Sequence, residues 1–388
     1  MNDIVFNEAV GANFPAAISS GSDFVVAWSN YRNNAIKTRR VLPNGTLPDG
    51  ETTVNDPTPQ VRSAPAICRV GFEGYGVVWR EGQSNPGSQL KLRHFTHGGA
   101  TPGPEKVIAP CDPDAVPAMA FMTDGGFVAT WTSPDPGQRI RVQRFDSQCN
   151  KAGPEFTANI TPGTFQRPVV SSVGDGSLYV IAWGPGQNDP RHPAFRIFDF
   201  DGTPQTGEVV PDISGSDGSF EAVALLDVDG RFALAEVAHS VPSDLGVMQS
   251  NAGVNIYEST GSPAGLFAVT KDSQGVNSSW VALSGLLGGQ FLLSWVERSA
   301  ETFATPPAVM ARVFTGASDA LGGGTKGAVG PEVQASTMTT DNRNQVCVTT
   351  DFSDLPLHSL VAWSDFDGAN DFAVHGKIFQ VGSDGSLS

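Results

Sequence analysis

The sequence predicts an all-β fold: a seven-bladed β-propeller of four-stranded antiparallel blades, with the ring closed by the N-terminal strand as outer strand of blade seven. Three observations carry this expectation. One tryptophan position recurs at nearly constant spacing. A four-strand unit repeats around it. A strand without a blade at the N-terminus answers a missing strand at the C-terminus.

Trp28, Trp79, Trp131 and Trp183 are spaced by 51, 52 and 52 residues. Each ends a short apolar strand, as in Phe24-Val25-Val26-Ala27-Trp28 and Phe127-Val128-Ala129-Thr130-Trp131. Glu236 takes the position after a further 53 residues, then Trp295 after 59 and Trp363 after 68. Recurrence at one strand position marks these rings as packing between blades.

The unit around the tryptophan also repeats. Upstream stands a proline read as opening a strand: Pro15, Pro65, Pro117 and Pro168. Proline is tolerated there because its missing N–H removes no ladder bond. A tight Gly turn follows, such as Asp124-Gly125-Gly126. After the tryptophan comes a strand of alternating polarity, such as Ile140-Arg141-Val142-Gln143-Arg144-Phe145, which reads as having one wet face. The last strand is headed by Gly and often Glu, as in Gly50-Glu51, Gly103-Pro104-Glu105 and Gly207-Glu208. Four strands per repeat with no helical period is the propeller signature. A linear solenoid uses shorter repeats and needs end caps.

The chain reads as one domain over 1–388, with blades near 14–56, 64–109, 116–160, 167–212, 220–271, 279–336 and 345–388 plus 3–8. Blade seven lacks a fourth strand, and Ile4-Val5-Phe6-Asn7 has no blade of its own. Phe6-Asn7 precedes Pro15 much as Val54-Asn55 precedes Pro65, so it aligns with the fourth strands. Pairing first with last removes an exposed sheet edge.

The run Gln-Arg-Pro, Asp-Gly-Gly-Phe-Val-x-x-Trp, Ile-x-x-Gln-Arg-Phe-Asp and Gly-x-Glu-Phe is best kept in blade three and the start of blade four. It resembles propeller repeats of large secreted bacterial proteins of adhesin and calcium-binding toxin type. The resemblance implies an extracellular or cell-surface location and binding or adhesion. It transfers no catalytic residue. Blades five and six depart most from the pattern.

A net charge of −16 argues against nucleic acid and anionic membrane surfaces as partners, since both require a basic face. No run approaches the ~18 apolar residues of a spanning helix, so no membrane insertion is expected. No signal peptide is visible, and the Gly-, Ser- and Asp-rich composition favours a mature extracellular chain. The four cysteines, Cys68, Cys111, Cys149 and Cys347, form no metal or disulfide pattern. Cys111 and Cys149 fall in loops at opposite faces, and free thiols are expected.

No catalytic constellation emerges. His94 and His97 point to opposite faces of a strand, and the other histidines fall in separate blades. The candidate metal run is Asp365, Asp367 and Asp371 around Gly368, where alternate carboxylates could offer hard oxygens to Ca²⁺; an ordinary Asp-Gly turn is the competing reading. No other cofactor is indicated. The candidate ligand residues are aromatic. Trp280 stands where other blades carry the strand-opening proline, at the mouth of the central channel. Phe14 and Phe220 precede the same position in blades one and five, and Phe165 lies in the equivalent loop of blade four. Aromatic faces there could stack on sugar rings; packing beneath the loops is the alternative.

The leading expectation is a non-enzymatic extracellular binding module for a carbohydrate or an adhesive partner, with a glycan or protein as ligand. A hydrolase or lyase acting on polysaccharide, and a structural or assembly protein, are the alternatives. Function is expected on the face bearing Trp280, where the loops Ala238–Ala252, Arg298–Ala308 and Ser364–Asp371 are long. The opposite face, made of short Gly and Asp turns, is expected to offer little surface for a pocket.

Overall fold

A computed structural model gives the architecture. It describes residues 3–71, 74–84, 87–96, 102–135, 137, 139–173, 176–186, 193–211, 219–226, 230–240, 249–268, 276–299, 307–316, 327–337, 343–353, 355–366 and 371–388. Seven antiparallel sheets follow one another as blades in a seven-bladed propeller. Six have four strands. In the fourth blade three strands pair continuously, and the outer segment joins through the bridges Phe195–Val209 and Phe198–Pro204. Among the described residues no helix is long and apolar enough to cross a membrane.

The second strand of each blade is the most buried, because it is sandwiched between neighbouring strands and adjacent blades. In blade one it spans Asp23–Asn30 and is buried throughout. Trp28, Trp79, Trp131, Trp183, Trp295 and Trp363 are all at most 1% exposed. They fill the seams: Trp28 packs with Leu360, Ala362 and Val374 of blade seven, and Trp79 with Val25 and Ala27 of blade one. Each indole therefore glues its blade to the preceding one. Glu236 takes this position in blade five and is only 4% exposed.

The N-terminal strand Ile4–Val5 pairs with Phe372–Val381 and completes blade seven. Three bonds show that it is a true fourth strand. Asn7 Oδ1 accepts the Val374 N–H at 2.7 Å, as Asn55 Oδ1 accepts the Ile36 N–H at 2.7 Å and Asn159 Oδ1 the Ile140 N–H at 2.9 Å. Arg39 Nη1 donates to the Phe6 carbonyl at 2.9 Å, as Arg93 does to Val54 at 2.6 Å and Arg196 to Ala158 at 2.7 Å. Glu51 accepts the Glu8 N–H at 2.6 Å, as Glu105 accepts that of Asp56 at 2.9 Å. The closure seam uses the same bonds as the seams after blades one and three. The alternating third strand is thus not merely wet on one face, because its arginines clamp the preceding blade.

Pro117 stands directly before its strand, Ala118–Phe121, as expected, but the other three prolines do not open theirs. Pro15 lies inside Ala12–Ser20, Pro65 inside Arg62–Val70 and Pro168 inside Phe165–Val173. In each, the ladder skips two residues opposite the second strand, between Asn13 and Ala16, Ser63 and Ala66, and Gln166 and Val169. Proline is admitted because a β-bulge leaves its nitrogen outside the ladder.

Candidate functional site

The bulges build the channel mouth. Register places Phe14, Ala64, Val116, Arg167, Phe220, Trp280 and Gln345 at one equivalent position, just before Pro15, Pro65, Pro117, Pro168, Glu221, Val281 and Val346. Trp280 therefore does not replace the proline; it replaces the residue before it. Five of the seven hold positive φ: Phe14 54°, Ala64 51°, Arg167 48°, Trp280 50° and Gln345 53°. That conformation is costly for side chains carrying a Cβ, and the surrounding bulge must enforce it. It also turns the side chain out of the blade. All seven line one cavity of about 230 Å³ on the ring axis.

Its chemistry is aromatic and aliphatic with two polar side chains. The Arg167 guanidinium lies 5.2 Å from the Trp280 ring centroid, reaching from blade four to blade six. Gln345 Oε1 accepts the Phe14 N–H at 2.7 Å, which fixes blade one's rim residue to blade seven's. Phe14 and Trp280 are partly exposed, whereas Phe220 is fully buried and forms part of the floor. Phe165 is not at the mouth. It is 3% exposed and packs edge-on to Trp183, with centroids 6.2 Å apart, so the blade-four rim residue is Arg167. The sequence reading missed Arg167; its place directly before Pro168 was the available signal.

The aspartate run is divided. Asp371 meets the Tyr31 hydroxyl and takes Arg32 Nε at 3.0 Å and Nη2 at 2.9 Å, joining blade seven to blade one. Burial raises its pKa, but the bonds from Tyr31 and Arg32 outweigh that and hold the carboxyl below its usual range. Asp365 is 1% exposed at the end of Leu357–Phe366, and Asp367 lies outside the described residues. With Asp371 engaged by a guanidinium, the described part of the run does not fit a Ca²⁺ site. Among the described residues no three His, Cys, Asp or Glu side chains are grouped to hold a metal. His97 also lies outside them. The four cysteines are free, and Cys68, Cys111 and Cys149 share one core cluster. Burial pushes the thiols of Cys111 and Cys149 up to about 12 and about 11, so both are inert.

Of the long loops on this face, 241–248, 300–306 and 367–370 lie outside the described residues. The short-turn face corrects the expectation made for it. A cavity of about 620 Å³ opens there among the hairpins of blades five, six and seven, and another of about 550 Å³ adjoins it. The walls of the first come both from innermost strands, at 223–225 and 283–285, and from the turns themselves, at Leu226 and 286–289.

No protein-family model matches the chain, and no curated protein sequence matches it. Solved structures match over its length. An ulvan lyase, a polysaccharide lyase bound to -[GlcA(1-4)Rha3S]-, aligns with TM-score 0.63 and 10% identity, covering 100% of this chain and 97% of that one. Hydrazine synthase of Kuenenia stuttgartiensis aligns with TM-score 0.57 and 12% identity over 95% and 96%. A protein of unknown function from Dyadobacter fermentans DSM 18053 aligns with TM-score 0.53 and 11% identity over 97% of each chain. The likeness is one of fold.

Proposed function

We propose that the protein is a non-enzymatic extracellular binding module that takes a carbohydrate at the channel mouth. The observation that carries this reading is the rim itself: Phe14 and Trp280 share one cavity with Arg167 stacked on the indole. Aromatic faces bind the apolar face of a sugar ring, and a guanidinium donates to its oxygens. The lining offers stacking and hydrogen bonding, and no carboxylate or imidazole is among its described side chains. Seven rigid blades hold these groups in place, as a binding site requires. A solved structure of the same fold holding a glycan is compatible with such a ligand.

A glycan-array screen tests the reading. The expected result is selective, saturable binding to a defined set of glycans. Turnover of a bound polysaccharide, seen as new chain ends, would replace the binding module with a lyase or hydrolase. A silent array together with capture of a protein partner would replace it with an assembly role.

A further inference from the structure

We propose that the channel mouth takes the terminal unit of a glycan, end-on, and not a unit inside a chain. This rests on the carbohydrate reading of the same cavity and narrows it to one substrate class, glycans that display a free chain end.

The enclosure of the cavity carries the inference. Each of the seven blades contributes its rim residue to the lining, so the cavity is walled on every side around the ring axis. A groove between two blades would admit a chain lying across it. A pit ringed by seven strands has no lateral exit. An internal sugar unit carries a glycosidic bond on two sides, and both bonds would have to turn back through the mouth. A terminal unit carries one, which leaves along the axis.

Size agrees with this. The cavity of about 230 Å³ is smaller than the roughly 300–1,000 Å³ that hold drug-sized ligands. It suits one sugar ring and not a run of several.

The two sides of the pit differ. On one, the Arg167 guanidinium lies 5.2 Å from the Trp280 centroid, so it spans the rim of blade five, whose Phe220 is fully buried. In a ring of seven, blade six faces the gap between blades two and three. The rim residues there are the small Ala64 and Val116. The indole therefore looks across the axis at the side with most room, as a stacking face for one ring. Gln345 Oε1 accepts the Phe14 N–H at 2.7 Å, which leaves the amide nitrogen to donate to a hydroxyl.

The experiment is an array of linear oligosaccharides, from disaccharide to octasaccharide. Each is printed once through its reducing end and once through its non-reducing end, beside cyclic glucans that have no end. Any glycan that binds is expected to do so in only one of its two attachments, and the cyclic glucans are expected to stay silent. Among glycans sharing a terminal unit, affinity is expected to change by less than about threefold with chain length, because units outside the cavity bury little surface. Val116→Trp, at a partly exposed rim position, is expected to fill the cavity and weaken these glycans by about tenfold or more. Ala64→Phe is the second plug, since its φ of 51° is close to the 54° at which blade one carries Phe14. Melting temperatures identify the folded variants. Equal binding in both attachments, affinity that climbs with length at a shared terminal unit, or binding of the cyclic glucans would overturn end-on recognition and leave the mouth as a carbohydrate site. Undiminished binding in folded plug variants, or an array silent throughout, would overturn the mouth reading and this inference with it.

Discussion

Asn7 accepts the Val374 N–H at 2.7 Å, the same bond and length by which Asn55 holds Ile36 inside blade one. The first and last blades are therefore sealed by the residue used elsewhere between consecutive strands. Asn7→Ala is expected to cost about 1–2 kcal/mol, since the Val374 amide loses its partner. Deleting residues up to Ala9 also removes the bonds to Arg39 and Glu51 and buried Phe6, and should lower the melting temperature sharply. An unchanged melting temperature and a monomeric deletion variant would contradict closure by this strand.

The tryptophans act by volume. The indole N–H groups of Trp28, Trp79, Trp131, Trp183 and Trp363 are buried without hydrogen-bond partners among the described residues. Trp131→Ala is expected to cost about 3–5 kcal/mol, as for emptying a large aromatic site. Trp131→Phe keeps most of the packing and loses no hydrogen bond, so it should cost less than about 2 kcal/mol. Chemical denaturation of both variants checks this; equal losses would mean that the indole nitrogen matters.

Glu236 is expected to make stability fall as pH rises. Burial pushes its carboxyl up to about 6 from 4.5, and Oε2 has no hydrogen-bond partner among the described residues. The folded state therefore binds the proton more tightly than the unfolded chain. Its contribution is complete below pH 4.5 and is lost as pH rises through 6. Glu236→Gln should match the wild type near pH 4 and exceed it by about 2 kcal/mol at pH 8. A constant difference between the two across that range would contradict this.

The rim conformation can be tested at Ala64, whose φ is 51°. Glycine adopts that region without strain, so Ala64→Gly should be neutral or stabilising by up to about 1 kcal/mol. Ala66→Gly, two residues on in the ladder, should destabilise by about 0.5–1 kcal/mol. Equal losses at both sites would mean that the bulge imposes no strain.

The tryptophan spacing made the blades legible, and Phe6-Asn7 made the closure legible, because packing and ladder ends repeat their residue types. The backbone at the rim was hidden, since Phe, Ala, Arg, Trp and Gln carry no sequence mark of positive φ. That concealment shifted Trp280 by one position and put Phe165 at the mouth instead of Arg167. The arginine clamps were read as a wet face because alternation alone does not show which carbonyl a side chain reaches. The cavity on the short-turn face was missed because turn length says nothing of the space left between neighbouring hairpins.

On the proposed function, the channel mouth binds its ligand through the aromatic rim. The most direct measurement is calorimetric titration of an array-selected glycan into the wild type and Trp280→Ala, with melting temperatures taken alongside. Trp280 is partly exposed, so the variant should remain folded with a similar melting temperature. Affinity is expected to fall by about tenfold or more, the loss typical of an aromatic anchor. Unchanged affinity in a folded Trp280→Ala variant would contradict the claim and move the glycan site away from the mouth.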